Sequence, residues 1–220
     1  MISLKSFRTP PIGLHLGPRS ANLVQLTESG GEFFVDIAAQ GELPAPGGPD
    51  APQRDRERAL ALKHLVDDHR FQGRRVVSCL DSQDLFVQNV RLPQLPPEEI
   101  EVVLRHEAEE RMPYPSDEAE IRHLVAGQVR QDGHVRQEVI LLASRRQALA
   151  QHIQLLEEAR LVPVAIDIES CAVVRALRRH GNSDERCAYL TLGDHATTIV
   201  FVEGDQILFL KNISGGGEKL

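Results

Sequence analysis

Ile12-Gly13-Leu14-His15-Leu16-Gly17-Pro18-Arg19-Ser20-Ala21-Asn22-Leu23-Val24-Gln25-Leu26 decides the fold. An apolar strand runs into Leu-Gly, a short polar turn follows, and a second apolar strand leaves it. The plan returns at Ala188-Tyr189-Leu190-Thr191-Leu192-Gly193-Asp194-His195-Ala196-Thr197-Thr198-Ile199-Val200-Phe201-Val202. Two such hairpins, one opening each half, mark a duplicated fold of the kind that cradles a nucleotide.

The rest of the composition narrows the field. A chain of 220 residues with 41% apolar and 26% charged residues is globular. A formal charge of -7 gives no electrostatic reason to bind nucleic acid or an anionic membrane. Cys79, Cys171 and Cys187 are odd in number, widely spaced and set in apolar runs, which reads as buried thiols in a reducing compartment. Met1 to Arg8 lacks the apolar core of a signal peptide, and no run approaches the ~18 apolar residues of a membrane span. The expected location is the cytoplasm.

Outward from the first hairpin, Glu28-Ser29-Gly30-Gly31 is a turn and Glu32 to Ala39 a third strand, which makes an antiparallel meander. Gly41 to Pro52 is a Pro- and Gly-rich surface loop. From Gln53 to His69, Ala59, Leu62, Leu65 and Val66 share one helical face, predicting a helix packed on the meander. Strands are expected at 74–80 and 85–92. A helix then starts at Pro96-Pro97-Glu98-Glu99, buries Ile100, Val103, Leu104 and Ala108, and stops at Met112-Pro113-Tyr114-Pro115. Asp132-Gly133 predicts a hairpin joining strands 121–130 and 135–143. A helix over 145–160 (apolar face Leu149, Ile153, Leu156), a strand over 161–168, a helix over 170–180 and the second meander, from Arg186, complete the order.

These residues resemble the PilM family, actin-like proteins of the type IV pilus assembly platform related to the division protein FtsA. The matching stretches are Ile12 to Leu26, Glu98 to Pro115, Leu155 to Ser170 and Ala188 to Gly217. The helix ending in Pro-Tyr-Pro and the run Pro163-Val164-Ala165-Ile166-Asp167-Ile168-Glu169-Ser170 are the specific parts. The resemblance implies an α/β, actin-like (RNase H-like) fold, a mixed sheet flanked by helices. It implies a first subdomain over 1–92 and 144–183, an inserted α/β subdomain over 93–143 adjoined by strand 85–92, and the opening strands of a second actin-like domain over 184–220. The rest of that domain is expected beyond Leu220; without it the second meander has an apolar face and open edges that must pack on the first domain or on another molecule.

In the family both hairpins hold ATP phosphates through backbone N–H groups, and an aspartate in each serves Mg²⁺. The resemblance places cofactor contacts at Gly13, Gly17, Ser20, Gly193 and Thr197. The two aspartate positions hold His15 and Thr191, a lysine-like position holds Asn22, and Pro18 removes an N–H donor. Hence the expectation is a degenerate nucleotide site and no ATP hydrolysis. The implied function is a cytoplasmic scaffold that reaches the inner face of the inner membrane by binding the cytoplasmic tail of a PilN-like pilus protein. A partner groove is expected at Val87, Val90, Val103 and Leu104. The alternatives are an actin-like ATPase and an FtsA-like division or type II secretion platform protein.

Other constellations have plainer readings. His106 with Glu109 and Glu110 has metal-like spacing, yet Arg105 and Arg111 flank it, which suits a solvated, salt-paired helix face. Gly215-Gly216-Gly217 is either a phosphate-cradling loop or a flexible end. His15 and His195 are read as tolerated substitutions rather than a facing metal or acid–base pair. Leu92 to Pro97 is the joint between strand and helix rather than a polyproline ligand.

Overall fold

Along the chain, the computed structural model contains β1 (Ile12–Leu16), β2 (Ser20–Ser29), β3 (Glu32–Glu42), α1 (Ala51–Asp68), β4 (Arg75–Leu80), β5 (Phe86–Pro93), α2 (Pro97–Arg111), β6 (Ala119–Gln131), β7 (His134–Arg145), α3 (Arg146–Glu158), β8 (Val162–Ile168), α4 (Glu169–Arg178), β9 (Arg186–Leu192), β10 (Ala196–Glu203) and β11 (Gln206–Ser214). It describes residues 9–47, 51–179, 185–193 and 195–217. Expectations for residues 1–8, for the 181–184 link and for Asp194 lie outside them. Every strand and helix expected within the described residues is present, with ends shifted by up to three residues: β2 runs on to Ser29 and β3 to Glu42.

The described chain forms two compact units, Met1–Asp81 with Ala150–Glu169, and Ser82–Leu149 with Ser170–Leu220. The first is built on a five-stranded sheet in the order β3-β2-β1-β4-β8. The meander β1-β2-β3 is antiparallel, whereas β4 pairs parallel to both β1 and β8. Alternation puts Ile12, Leu14, Ala21, Leu23 and Val76 together in the core, where α1 supplies Ala59, Leu62 and Val66 and α3 supplies Leu156. These aliphatic contacts supply the burial that stabilises the unit.

One polar residue inside this unit has a full set of partners. Gln25 on β2 is 2% exposed. Its amide nitrogen donates to the carbonyls of Pro10 and Gln72, each at 2.8 Å, and its amide oxygen accepts from the Gln72 N–H at 2.8 Å. The side chain thus ties the lead-in to β1 and the loop before β4 to the meander. A buried amide is tolerated because its donors and its acceptor are used. His152 on α3 is similarly enclosed, with Nε2 at 3.0 Å from the hydroxyl of the fully buried Ser78 on β4.

In the second unit β5-β7-β6 is an antiparallel sheet, closed at one end by Asp132 (φ 51) and Gly133 (φ 78). Both turn residues have the positive φ that a two-residue hairpin of matching twist requires, as the Asp-Gly pair predicts. α2 lays Ile100, Leu104 and Ala108 on this sheet against Val90, Leu92, Val139 and Leu141. The third sheet, β11-β10-β9, belongs to the same unit. Asn89 donates to the Leu210 carbonyl at 3.0 Å, Asn212 to that of Ser82 at 3.2 Å, and Gln206 to that of Val125 at 3.3 Å.

These contacts change the expected partition. β5 is hydrogen-bonded along β7, so the inserted part begins near Ser82 rather than at 93. The meander from Arg186 packs with it rather than standing as the start of a separate body, because the inward side chains Val200, Val202 and Leu210 are buried. Its other face leaves Leu190, Leu192, Phe201 and Ile213 exposed.

Two outcomes test this packing. Gln25→Ala removes three hydrogen bonds and the buried amide side chain that makes them, and is expected to lower stability by about 1–3 kcal/mol in denaturant titrations. Burial disfavours the imidazolium of His152 and lowers its pKa. The unfolded chain then takes up this proton from about pH 6.5 downward while the folded chain does so only at lower pH, so stability falls with acidification below that point. Unfolding curves for His152→Gln are expected to lose that part of the pH slope.

Candidate functional site

The parallel strands β1, β4 and β8 end at one edge of the five-stranded sheet, where ligands of open α/β sheets bind. Chain order puts a polar residue at the end of, or just beyond, each strand: His15 on β1, Asp81 after β4, and Asp167 and Glu169 at the end of β8 and the start of α4. The His15 ring lies 3.7 Å from a Glu169 oxygen and 3.4 Å from the Asn22 amide nitrogen. Asp167 accepts from the Ile168 N–H at 2.7 Å. His15 and Asn22, expected at the sites of an acid and a lysine, therefore face each other across β1 and β2.

Glu169 is the residue that sequence reasoning missed as a site component. The available signal was its place immediately after an apolar parallel strand, next to Asp167. It brings negative charge to the first hairpin, which opposes a phosphate there. Among the described residues no group of three or more His, Cys, Asp or Glu side chains is placed to hold a metal.

The turns themselves are occupied by their own hydrogen bonds. The Gly17 N–H donates to the Ser20 carbonyl at 2.8 Å, and Pro18 has no N–H to offer. From behind, the buried Arg58 on α1 donates to the carbonyls of Gly17 at 3.2 Å, of Pro18 at 2.8 Å, and of Pro44. The Arg19 carbonyl accepts from the Leu43 N–H at 2.9 Å. Burial lowers the pKa of Arg58, and the nearby charge of Asp55 opposes that shift in part. The three carbonyls supply its hydrogen-bond acceptors, and it fixes the hairpin tip to the loop after β3.

The second turn repeats the pattern. Gly193 donates to the Ala196 carbonyl at 2.9 Å, Gly215 to that of His195 at 3.1 Å, and Gly217 to that of Gly193 at 2.9 Å. The Thr197 hydroxyl donates to the Gly215 carbonyl at 2.8 Å. Gly215 to Gly217 is thus neither an open cradle nor a loose end, because it is laced onto the turn. Of the five residues expected at cofactor contacts, Gly17, Gly193 and Thr197 have their donors engaged. Gly13 serves packing, since a Cβ there would meet the Val24 methyl at 3.2 Å. Glycine at 17 and 193 is likewise a matter of space: an added Cβ would lie 3.0 Å from the Ser20 hydroxyl and 3.0 Å from the Ala196 carbonyl. The Gly17 and Gly193 N–H groups and the Thr197 hydroxyl are thus used within the fold.

The expected partner groove is corrected by burial. Val90 and Leu104 are core residues, 4% and 1% exposed, because they face each other between β5 and α2. Val103 is partly buried against the same core, and Val87 is half-buried. The apolar side chain that α2 leaves open is Val102. His106 is exposed at 3.9 Å from Glu109, and Arg111 pairs with Glu107 at 2.6 Å, so that helix face is salt-paired and solvated. Cys79, Cys171 and Cys187 form no disulfide with one another, and Cys171 is buried and the others half-buried. Among the described residues no helix is long and apolar enough to cross a membrane.

Comparison with known proteins agrees with this architecture. The family model described as type IV pilus assembly protein PilM matches residues 13–220. Among solved structures, the chain is similar to one in the PilM-PilN type IV pilus biogenesis complex, with 25% identity and a TM-score of 0.78, over 95% of this chain and 62% of that one. The chain thus spans less than two thirds of that relative. A protein from Bacteroides thetaiotaomicron with an actin-like ATPase fold matches at 13% identity and TM-score 0.51, over 100% of this chain and 75% of that one. The cytoplasmic domain of EpsL, an inner-membrane component of the Vibrio cholerae type II secretion system, matches at 14% and 0.51, over 92% and 70%. The last two show the fold alone. No curated protein matches the chain.

Arg58→Met keeps most of the side-chain volume and removes the clamp. Three carbonyls are left without their donor, so a loss of about 2–4 kcal/mol in denaturant unfolding is expected. Faster amide exchange at Gly17 and Leu43 is expected with it.

Proposed function

Because this chain belongs to the PilM family of type IV pilus assembly proteins, we propose that it acts as a scaffold of the pilus assembly platform. It binds the short N-terminal tail of a PilN-like inner-membrane protein and is held at the cytoplasmic face through that partner. The observation that carries this reading is the likeness, along 95% of the chain, to the protein of the PilM-PilN complex. The use of the turns' own donors within the fold supports a scaffold with a degenerate nucleotide site over an ATPase.

Tail recognition falls to the second unit, where Val87, Val102 and Val103 are among the apolar side chains of β5 and α2 that keep exposed surface. A peptide gains affinity from a few such anchors, with rim charges setting its direction. Calorimetry with a synthetic N-terminal tail of the cognate PilN is expected to give saturable binding, weakened at least tenfold by Val87→Glu or Val102→Glu. A folded sample that shows no binding to the tail sinks the proposal.

A further inference from the structure

The β9-β10-β11 sheet is apolar on both faces. Val200, Val202 and Leu210 fill one of them and are buried. On the other, Leu190, Leu192, Phe201 and Ile213 are 42–60% exposed. Cross-strand register sets these four side by side: Thr197 lies between Leu192 and Ile213, Ile199 lies across from Leu190, and Phe209 lies across from Phe201. The rings of Phe201 and Phe209 are 5.5 Å apart, so both stand on this face.

Charge is confined to the rim of the patch. At one end Arg186 donates through Nε to Glu203 at 2.8 Å. Along one side Lys211, on the outer strand β11, lies across from Ile199, and its long alkyl stem lets the ammonium stay in water beside an apolar contact. No other charged side chain alternates onto this face among the described residues. A sheet that is apolar on both sides calls for a cover on both.

We propose that a second copy of this chain covers this face, the two exposed faces packing on each other about a two-fold axis. The patch is nearly uncharged, so it offers little to select a charged partner. A flat sheet face is instead its own complement: two such faces stack about 10 Å apart with strands within about 30° of each other. A two-fold axis then closes the contact at two copies. Four large side chains are about half exposed. With their half-buried neighbours, each copy contributes on the order of 600 Å², so the pair removes on the order of 1,200 Å², where specific interfaces begin. The proposal is independent of the pilus reading and of the tail that reading invokes.

Sedimentation equilibrium of the whole chain across the micromolar range is the test. A reversible equilibrium between one and two chains is expected. Leu190→Lys and Phe201→Glu are each expected to raise its dissociation constant at least tenfold, and the milder Leu190→Gln severalfold. Leu60→Lys, at an exposed position on α1, is expected to leave it unchanged. Circular dichroism checks that each variant is folded. The mass of a single chain at every concentration, open-ended growth beyond two copies, an equilibrium undisturbed in the folded sheet variants, or an equal loss in Leu60→Lys overturns the proposal.

Discussion

In the first unit two long, buried polar side chains supply donors to the carbonyls of the surrounding loops. Gln25 closes the Pro10 and Gln72 carbonyls, and Arg58 closes those of Gly17, Pro18 and Pro44. Both reach from regular elements into loops that flank the first hairpin. The aliphatic core beneath explains why the sheet and α1 associate, and these side chains explain why the loops above it take one conformation. The shape of the hairpin tip follows, and with it the use of the tip's donors within the fold.

The same economy holds at the echo hairpin by different means. There the glycines after β11 and the Thr197 hydroxyl do the closing. The same hairpin plan thus occurs twice, each time with its turn glycine donating to a carbonyl of its own hairpin.

Much of this was legible in the sequence for identifiable reasons. Ile12, Leu14 and Leu23 alternate, Leu62 and Val66 fall on a helical stripe, and Asp132-Gly133 can hardly be anything but a tight turn. Periodicity names the buried face of an element but not what covers it. Val90 and Leu104 were therefore read as groove wall when they pack on one another. Arg58 looked like part of the charged face of α1; only the fold brings three carbonyls from two separate loops to its guanidinium. Glu169 reaches His15 through the parallel crossover from β4 to β8, a proximity that no local pattern encodes. The attachment of the second meander to the inserted unit was equally hidden, since the apolar alternation of Val200, Val202 and Leu210 does not say what buries them, and the bonds of Asn89 and Asn212 join residues far apart in sequence.

The Gly17 and Gly193 N–H groups donate to the Ser20 and Ala196 carbonyls, and the proposed scaffold reading requires that the two turns do not receive a phosphate. Amide NMR of Gly17 and Gly193 during a titration with Mg-ATP tests it most directly. Slow hydrogen exchange at both amides before nucleotide is added, and no saturable shift afterwards, is the result this account predicts. Rapid exchange at either glycine together with a saturable shift on adding Mg-ATP would contradict it.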